Sequence, residues 1–244
     1  MAVDRGTKEL IPLVVVVGPT ASGKSDWVNT FAKNFNGEVI NADSRQIYKE
    51  FSIGTNKEQG VWEKRAGKRQ YIVDGVVYHL IDFLSPKANF SVYEYQKEAA
   101  SIISDVYSRG NQPFISGGTG MYIDAVVDNW NLNKESYDRK VRKELSGKPN
   151  IELLKRLRLS DPEGAAKIDM HNTARLIRAI EIIELTGEKK GDAPKKGKPL
   201  YRTLKIGVKK NRDDLYKNIN NRTEYMLQDG LIEEVKLLYN KYPK

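Results

Sequence analysis

The sequence predicts an α/β protein, a doubly wound parallel sheet carrying a helical subdomain, and three observations predict it. An apolar run at 12–17 feeds a glycine loop, strand-like and helix-like segments alternate to about residue 128, and beyond that the pattern turns charged and helical. Pro12-Leu13-Val14-Val15-Val16-Val17 has the unbroken, β-branched character of a strand buried on both faces of a parallel sheet. From Asp26 to Phe35 the aromatic residues Trp27, Phe31 and Phe35 recur at helical spacing, and Gly37 is expected to end that helix. Trp27, Phe31, Tyr93 and Tyr95 are assigned to the core. Glu38-Val39-Ile40-Asn41 reads as the second strand, and Tyr71 to Asp82 as a hairpin turning at Asp74-Gly75. Ser91 and Glu94 have the spacing of a capping box that opens a helix running to Ser108. Pro113 to Ser116 is the next strand, and it delivers Gly117-Gly118-Thr119-Gly120 to another helix start.

These segments divide the chain into the first part of an α/β core at 1–128 and a helical subdomain at 129–187, with helices expected at 135–146, 150–159, 162–169 and 172–187. Residues 188–200, rich in Gly, Pro and Lys, read as a flexible basic loop, and 201–244 as a return to the core through a strand at 201–208 and one amphipathic helical stretch at 213–239.

A chain of 244 residues, 39% hydrophobic and 30% charged, can bury a full core. Its longest apolar run falls far short of the roughly 20 residues that span a bilayer, and the N-terminus has no signal-peptide pattern. A cytoplasmic protein, monomeric and away from membranes, is therefore expected. The absence of cysteine excludes disulfides, thiolate metal sites and zinc fingers. His79 and His171 sit in dissimilar contexts and read as structural rather than as metal ligands. The net charge of +9 suits a polyanionic partner, although a Lys-rich solvated surface has the same composition.

Gly18-Pro19-Thr20-Ala21-Ser22-Gly23-Lys24-Ser25 matches the P-loop pattern, and it lies between a strand and a helix as that mechanism requires. In a P-loop NTPase-like fold, backbone N–H groups from Gly18, Thr20, Ala21, Ser22 and Gly23 turn inward around phosphate oxygens. Lys24 neutralises the terminal phosphate and Ser25 can bind Mg²⁺. Asp43, at the end of the second strand, opens onto the same crevice at the carboxyl edge of the sheet. There it could hold Mg²⁺ or accept a proton; with Ser44 it could equally cap the next helix.

Six blocks in order give the chain a wider likeness: 18–25, Asp43-Ser44-Arg45-Gln46-Ile47-Tyr48, His79-Leu80-Ile81-Asp82, 91–95, Gly117 to Tyr122, and Asn172 to Glu181. Through them the sequence resembles the tRNA dimethylallyltransferases, also called tRNA isopentenyltransferases. The resemblance implies that the P-loop holds dimethylallyl diphosphate with Mg²⁺, and that Asp43 is the general base for N6 of the adenine beside the anticodon. It also implies Thr20 and Arg222 at the diphosphate as further catalytic residues. A tRNA surface would draw on Asp43, Ser44, Arg45, Gln46, Thr119, Arg142, Ala174, Arg175, Leu176, Ile177 and Arg178. Family members carry a further segment after the helix at 230–235, so the chain reads as C-terminally truncated, and where they have Asn-Asp this chain has His171-Asn172-Thr173. Three other readings stay open: a free adenine-nucleotide isopentenyltransferase, which needs no basic RNA surface; a P-loop small-molecule kinase, which would use ATP; and an inactive RNA-binding module.

Overall fold

A computed structural model describes residues 9–65, 67–132, 138–187, 189 and 196–243. It holds two compact units, one of residues 1–129 with 198–244 and one of residues 130–197. Among the described residues no helix is long and apolar enough to cross a membrane.

The first unit is built on a seven-stranded sheet. Its strands are β1 (Ile11–Val17), β2 (Gly37–Asn41), β3 (Val61–Arg65), β4 (Lys68–Val73), β5 (Val76–His79), β6 (Gln112–Ser116) and β7 (Tyr201–Gly207), in the order β3-β4-β5-β2-β6-β1-β7. From β5 to β7 every pairing is parallel, while β3, β4 and β5 form an antiparallel edge. Alternate side chains of β1 go to opposite faces, which explains why its whole run is apolar. Leu13 and Val15 join a core under α2 (Val92–Ser108) and α3 (Gly120–Val127), and Val14 and Val16 join one under α1 (Lys24–Asn34).

The predicted capping box is present, with Ser91 Oγ accepting from Glu94 N and Glu94 Oε2 from Ser91 N, and α2 buries Tyr95, Ala99, Ile103 and Val106. Two expectations for α1 need correction. Asn36, at φ 48°, rather than Gly37, takes the left-handed turn after the helix. Gly37 is constrained by packing instead, because a Cβ there would lie 2.4 Å from the Phe114 ring. Val28 and Ala32 face the sheet and half-buried Phe31 packs against the core beneath the helix, as expected, while Trp27 and Phe35 stack on its ring and are 39% and 60% exposed. Trp27 is therefore not a core residue.

The hairpin turns at Asp74 and Gly75, both at positive φ, as the two-residue turn requires. Strand β3 was not anticipated. Its sequence Val-Trp-Glu-Lys-Arg is mostly charged because an exposed edge strand has little to bury. The final stretch divides into α8 (Arg212–Gln228) and α9 (Leu231–Lys241), broken where Gly230 adopts φ 99°, and is not continuous.

The second unit packs α4 (Arg139–Ser146), α5 (Asn150–Ser160), α6 (Pro162–Lys167) and α7 (Thr173–Thr186) around Leu145, Leu153, Leu157 and Leu176. Helix α7 ends on left-handed Gly187. Most of the basic loop expected at 188–200 lies outside the described residues.

Candidate active site

Strands β1, β2 and β6 are neighbours in the sheet and parallel, so the loops that follow them meet at one edge. The loop after β1 is the glycine loop. Gly18 can only be glycine there, since a Cβ would come within 2.6 Å of Val208 O. Ala21 and Gly23 both have positive φ, the backbone shape that turns successive N–H groups inward. Ser22 Oγ is buried without a hydrogen-bond partner, and Thr20 is exposed. Asn218 on α8 donates to Ala21 O at 3.0 Å, which fastens that helix to the loop and brings Arg222, one turn on, into the site.

Lys24 Nζ folds back onto Pro19 O at 2.8 Å. Burial lowers its pKa and the charge of Arg222 lowers it further, while Asp43 and Glu58 act in the opposite direction. Two cations and two carboxylates thus converge at the loop. Glu58 went unnoticed in the sequence because no local motif ties it to the P-loop. Its carboxyl is pushed above the ordinary range by burial, partly offset by a hydrogen bond with Ser25 and by the charges of Arg222 and Lys24.

Asp43 does not cap a helix, because residues 44–47 form a turn instead. Its Oδ1 closes the turn by accepting from Arg45 N at 2.9 Å and Gln46 N at 3.4 Å. Its Oδ2 faces Gly118, where a Cβ would stand 3.1 Å away. The loop after β6 is bound to this turn: Ser44 N donates to Thr119 Oγ1 at 3.0 Å, Thr119 Oγ1 to Ser44 Oγ at 3.1 Å, and Thr119 N to Ala42 O at 2.9 Å. Gly117 permits the approach, because any Cβ would overlap the Ala42 backbone at 2.2 Å. Arg45 is exposed, whereas Gln46 donates its amide to Thr55 O and Asn56 O and so braces the next segment.

That segment, 52–59, and α8 line a cleft of about 700 Å³ whose walls include Ile53, Lys57, Arg222, Tyr225 and Met226. Glu234 holds one wall by accepting from the backbone N–H groups of Ser52, Ile53 and Gly54 at 2.9, 2.8 and 3.0 Å. Buried Lys57 donates to Tyr48 O and Asp82 Oδ1, both at 2.6 Å, which gives the 79–82 block a positioning task.

In the second unit the foreseen RNA residues divide. Arg142 and Arg178 both bind Glu181, which is 0% exposed, at 2.8 and 2.9 Å. Leu176 and Ile177 are turned into the core, so neither side chain is available to RNA; the surface of that segment is Ala174 and Arg175. His79 Nε2 lies 2.6 Å from Glu38 Oε2, a structural partnership, and His171 is exposed. Among the described residues no group of three or more His, Asp or Glu could hold a metal ion.

The IPP transferase family model matches residues 46–244. A tRNA dimethylallyltransferase of Bacillus subtilis is 40% identical over 236 residues, covering 94% of this chain and 72% of the relative. Its counterpart in Caldanaerobacter subterraneus is 40% identical over 246 residues, covering 95% and 75%. Of solved structures, the tRNA isopentenylpyrophosphate transferase of Bacillus halodurans is 39% identical with a TM-score of 0.63, over 95% of this chain and 71% of that one. A eukaryotic dimethylallyltransferase acting on tRNA is 28% identical with a TM-score of 0.73, over 95% and 56%.

Proposed function

Because the chain belongs to the IPP transferase family, we propose that it transfers a dimethylallyl group from dimethylallyl diphosphate to N6 of the adenine beside the tRNA anticodon. The observation that carries the reading is the convergence of Lys24, Arg222 and Asp43 around a phosphate loop at one sheet edge. The loop N–H groups and Lys24 hold the diphosphate, with Thr20 and Arg222 beside it, and all of them favour the charge that grows on the leaving group. The C1–O bond breaks and its electron pair departs with pyrophosphate. The N6 lone pair attacks C1, and Asp43 receives the N6 proton.

Ser25 and Glu58 present oxygen donors of the kind a hard cation takes, and Mg²⁺ needs only one or two such protein ligands besides phosphate. These residues would hold Mg²⁺, which supplies charge neutralisation on the departing pyrophosphate. Arg45, Ala174 and Arg175 are the exposed members of the foreseen RNA set. Action on tRNA supports the cytoplasm as its compartment. Family membership favours this reading over a free-nucleotide transferase or a kinase, neither of which needs the tRNA.

The test is to incubate the protein with Mg²⁺, dimethylallyl diphosphate and unmodified tRNA, digest the RNA, and search by mass spectrometry for prenylated adenosine. Prenylation of adenosine monophosphate in preference to tRNA, or phosphate transfer from ATP, would replace the proposal with one of its rivals.

A further inference from the structure

We propose that the β3–β4 hairpin is an additional RNA-gripping element, which holds the phosphate backbone of the substrate to one side of the reacting base. The inference rests on the reading of tRNA as the substrate. Strand register places the hairpin. β5 runs parallel to β2 with His79 beside Ile40, and β4 returns along β5 with Tyr71 opposite Tyr78. Stepping back along β4 from Tyr71 to Lys68 therefore leads toward the sheet edge at which β2 delivers Asp43. β3 keeps pace, with Lys64 opposite Arg69 and Arg65 opposite Lys68, so the hairpin tip projects from the same edge as the P-loop. β4 is two strands from β2 and β3 is three. At a strand spacing of about 4.8 Å the tip stands roughly 10–14 Å to the side of Asp43.

The tip has the charge such a task needs. Lys64, Arg65, Lys68 and Arg69 are all exposed, and the one acid on either strand is Glu63, paired with Arg65 at 2.8 Å. Four cations against one carboxylate give these strands +3 of the chain's +9. The base of the hairpin is fixed. Tyr71 donates to Glu58 O at 2.9 Å and accepts from Gly60 N at 3.1 Å, Trp62 donates its indole N–H to Asp82 at 3.0 Å, and Arg69 lies 5.2 Å from the Trp62 ring centre. A basic tip is thus held on an anchored base, beside the site where a polyanion reacts. Edge strands also carry lysines to discourage pairing with other chains, so the discriminating measurement must read RNA.

That measurement compares the wild type with the combined variant Lys64→Ser, Arg65→Ser, Lys68→Ser, titrating unmodified tRNA at several salt concentrations. The expected result is a Kd raised roughly 10- to 100-fold and a log Kd against log salt slope lowered by about 2–3. KM for tRNA should rise with kcat at saturation unchanged, and Lys64→Arg with Lys68→Arg should bind as the wild type does. Thermal midpoints within a degree or two would show both variants folded. Unchanged affinity and slope in the serine variant, with tight binding by the wild type, would overturn the hairpin's role alone. A wild type that binds no tRNA would overturn this inference together with the substrate reading on which it rests.

Discussion

At Asp43, one carboxylate oxygen is occupied by the N–H groups of Arg45 and Gln46 while the other faces Gly118. The turn thereby fixes the orientation of the carboxylate proposed to take the N6 proton. Asp43→Ala should lower kcat by roughly 10²–10⁴-fold while donor binding, measured by calorimetry, changes little; a matching loss of donor affinity would make Asp43 a binding residue. Glu58 allows a separate test. If it and Ser25 share the cation, Glu58→Gln should raise the Mg²⁺ concentration for half-maximal rate about 10-fold or more, and an unchanged Mg²⁺ titration would remove it from the metal's shell. Lys24 and Ser25 are legible from sequence because the P-loop is a local device in which eight consecutive residues do the work. Glu58 is illegible for the opposite reason: only the folded path of segment 52–59 brings it to Ser25.

Among the elements, the ones most readable from sequence have private signatures: β1 by its unbroken apolar run, α2 by its capping box, the β4–β5 turn by Asp74-Gly75. β3 had none, since an edge strand can be charged along its length, and the aromatic spacing of α1 put Trp27 in the core beside Phe31, although only Phe31 packs there. The same limit applies to α7, where Ala174 to Arg178 read as one RNA-binding segment although helical geometry sends Leu176 and Ile177 inward. The break between α8 and α9 makes a prediction at this scale. Gly230 has ordinary space around it but φ 99°, so Gly230→Ala should cost about 1–2 kcal/mol through backbone strain alone. It should also disturb Glu234, four residues along, and with it the wall at 52–54; a variant with wild-type melting would show that the break bears no strain.

For the molecule as a whole, acid sensitivity should centre on Glu38, which joins β2, β5 and the end of α2. Burial works against its charge, but hydrogen bonds from His79, Arg109 and Asn111 outweigh that and hold its carboxyl well below the usual carboxylate range. A folded value below the unfolded one of about 4.3 means that this stabilisation is complete above roughly pH 5 and is lost as pH falls through the acid range. Glu38→Gln should cost about 1–3 kcal/mol at neutral pH and flatten the decline of the melting temperature below pH 5. An equally steep decline in the variant would assign the acid response to other carboxylates.

Glu234 also ties the cleft to the order of synthesis. The glycine loop and Asp43 leave the ribosome long before the residue whose carboxylate gathers the N–H groups of Ser52, Ile53 and Gly54. At about 5–20 residues per second, that interval is roughly 10–40 s. Throughout it a nascent chain would carry its phosphate loop and Asp43 beside a wall whose N–H groups still lack the carboxylate that gathers them.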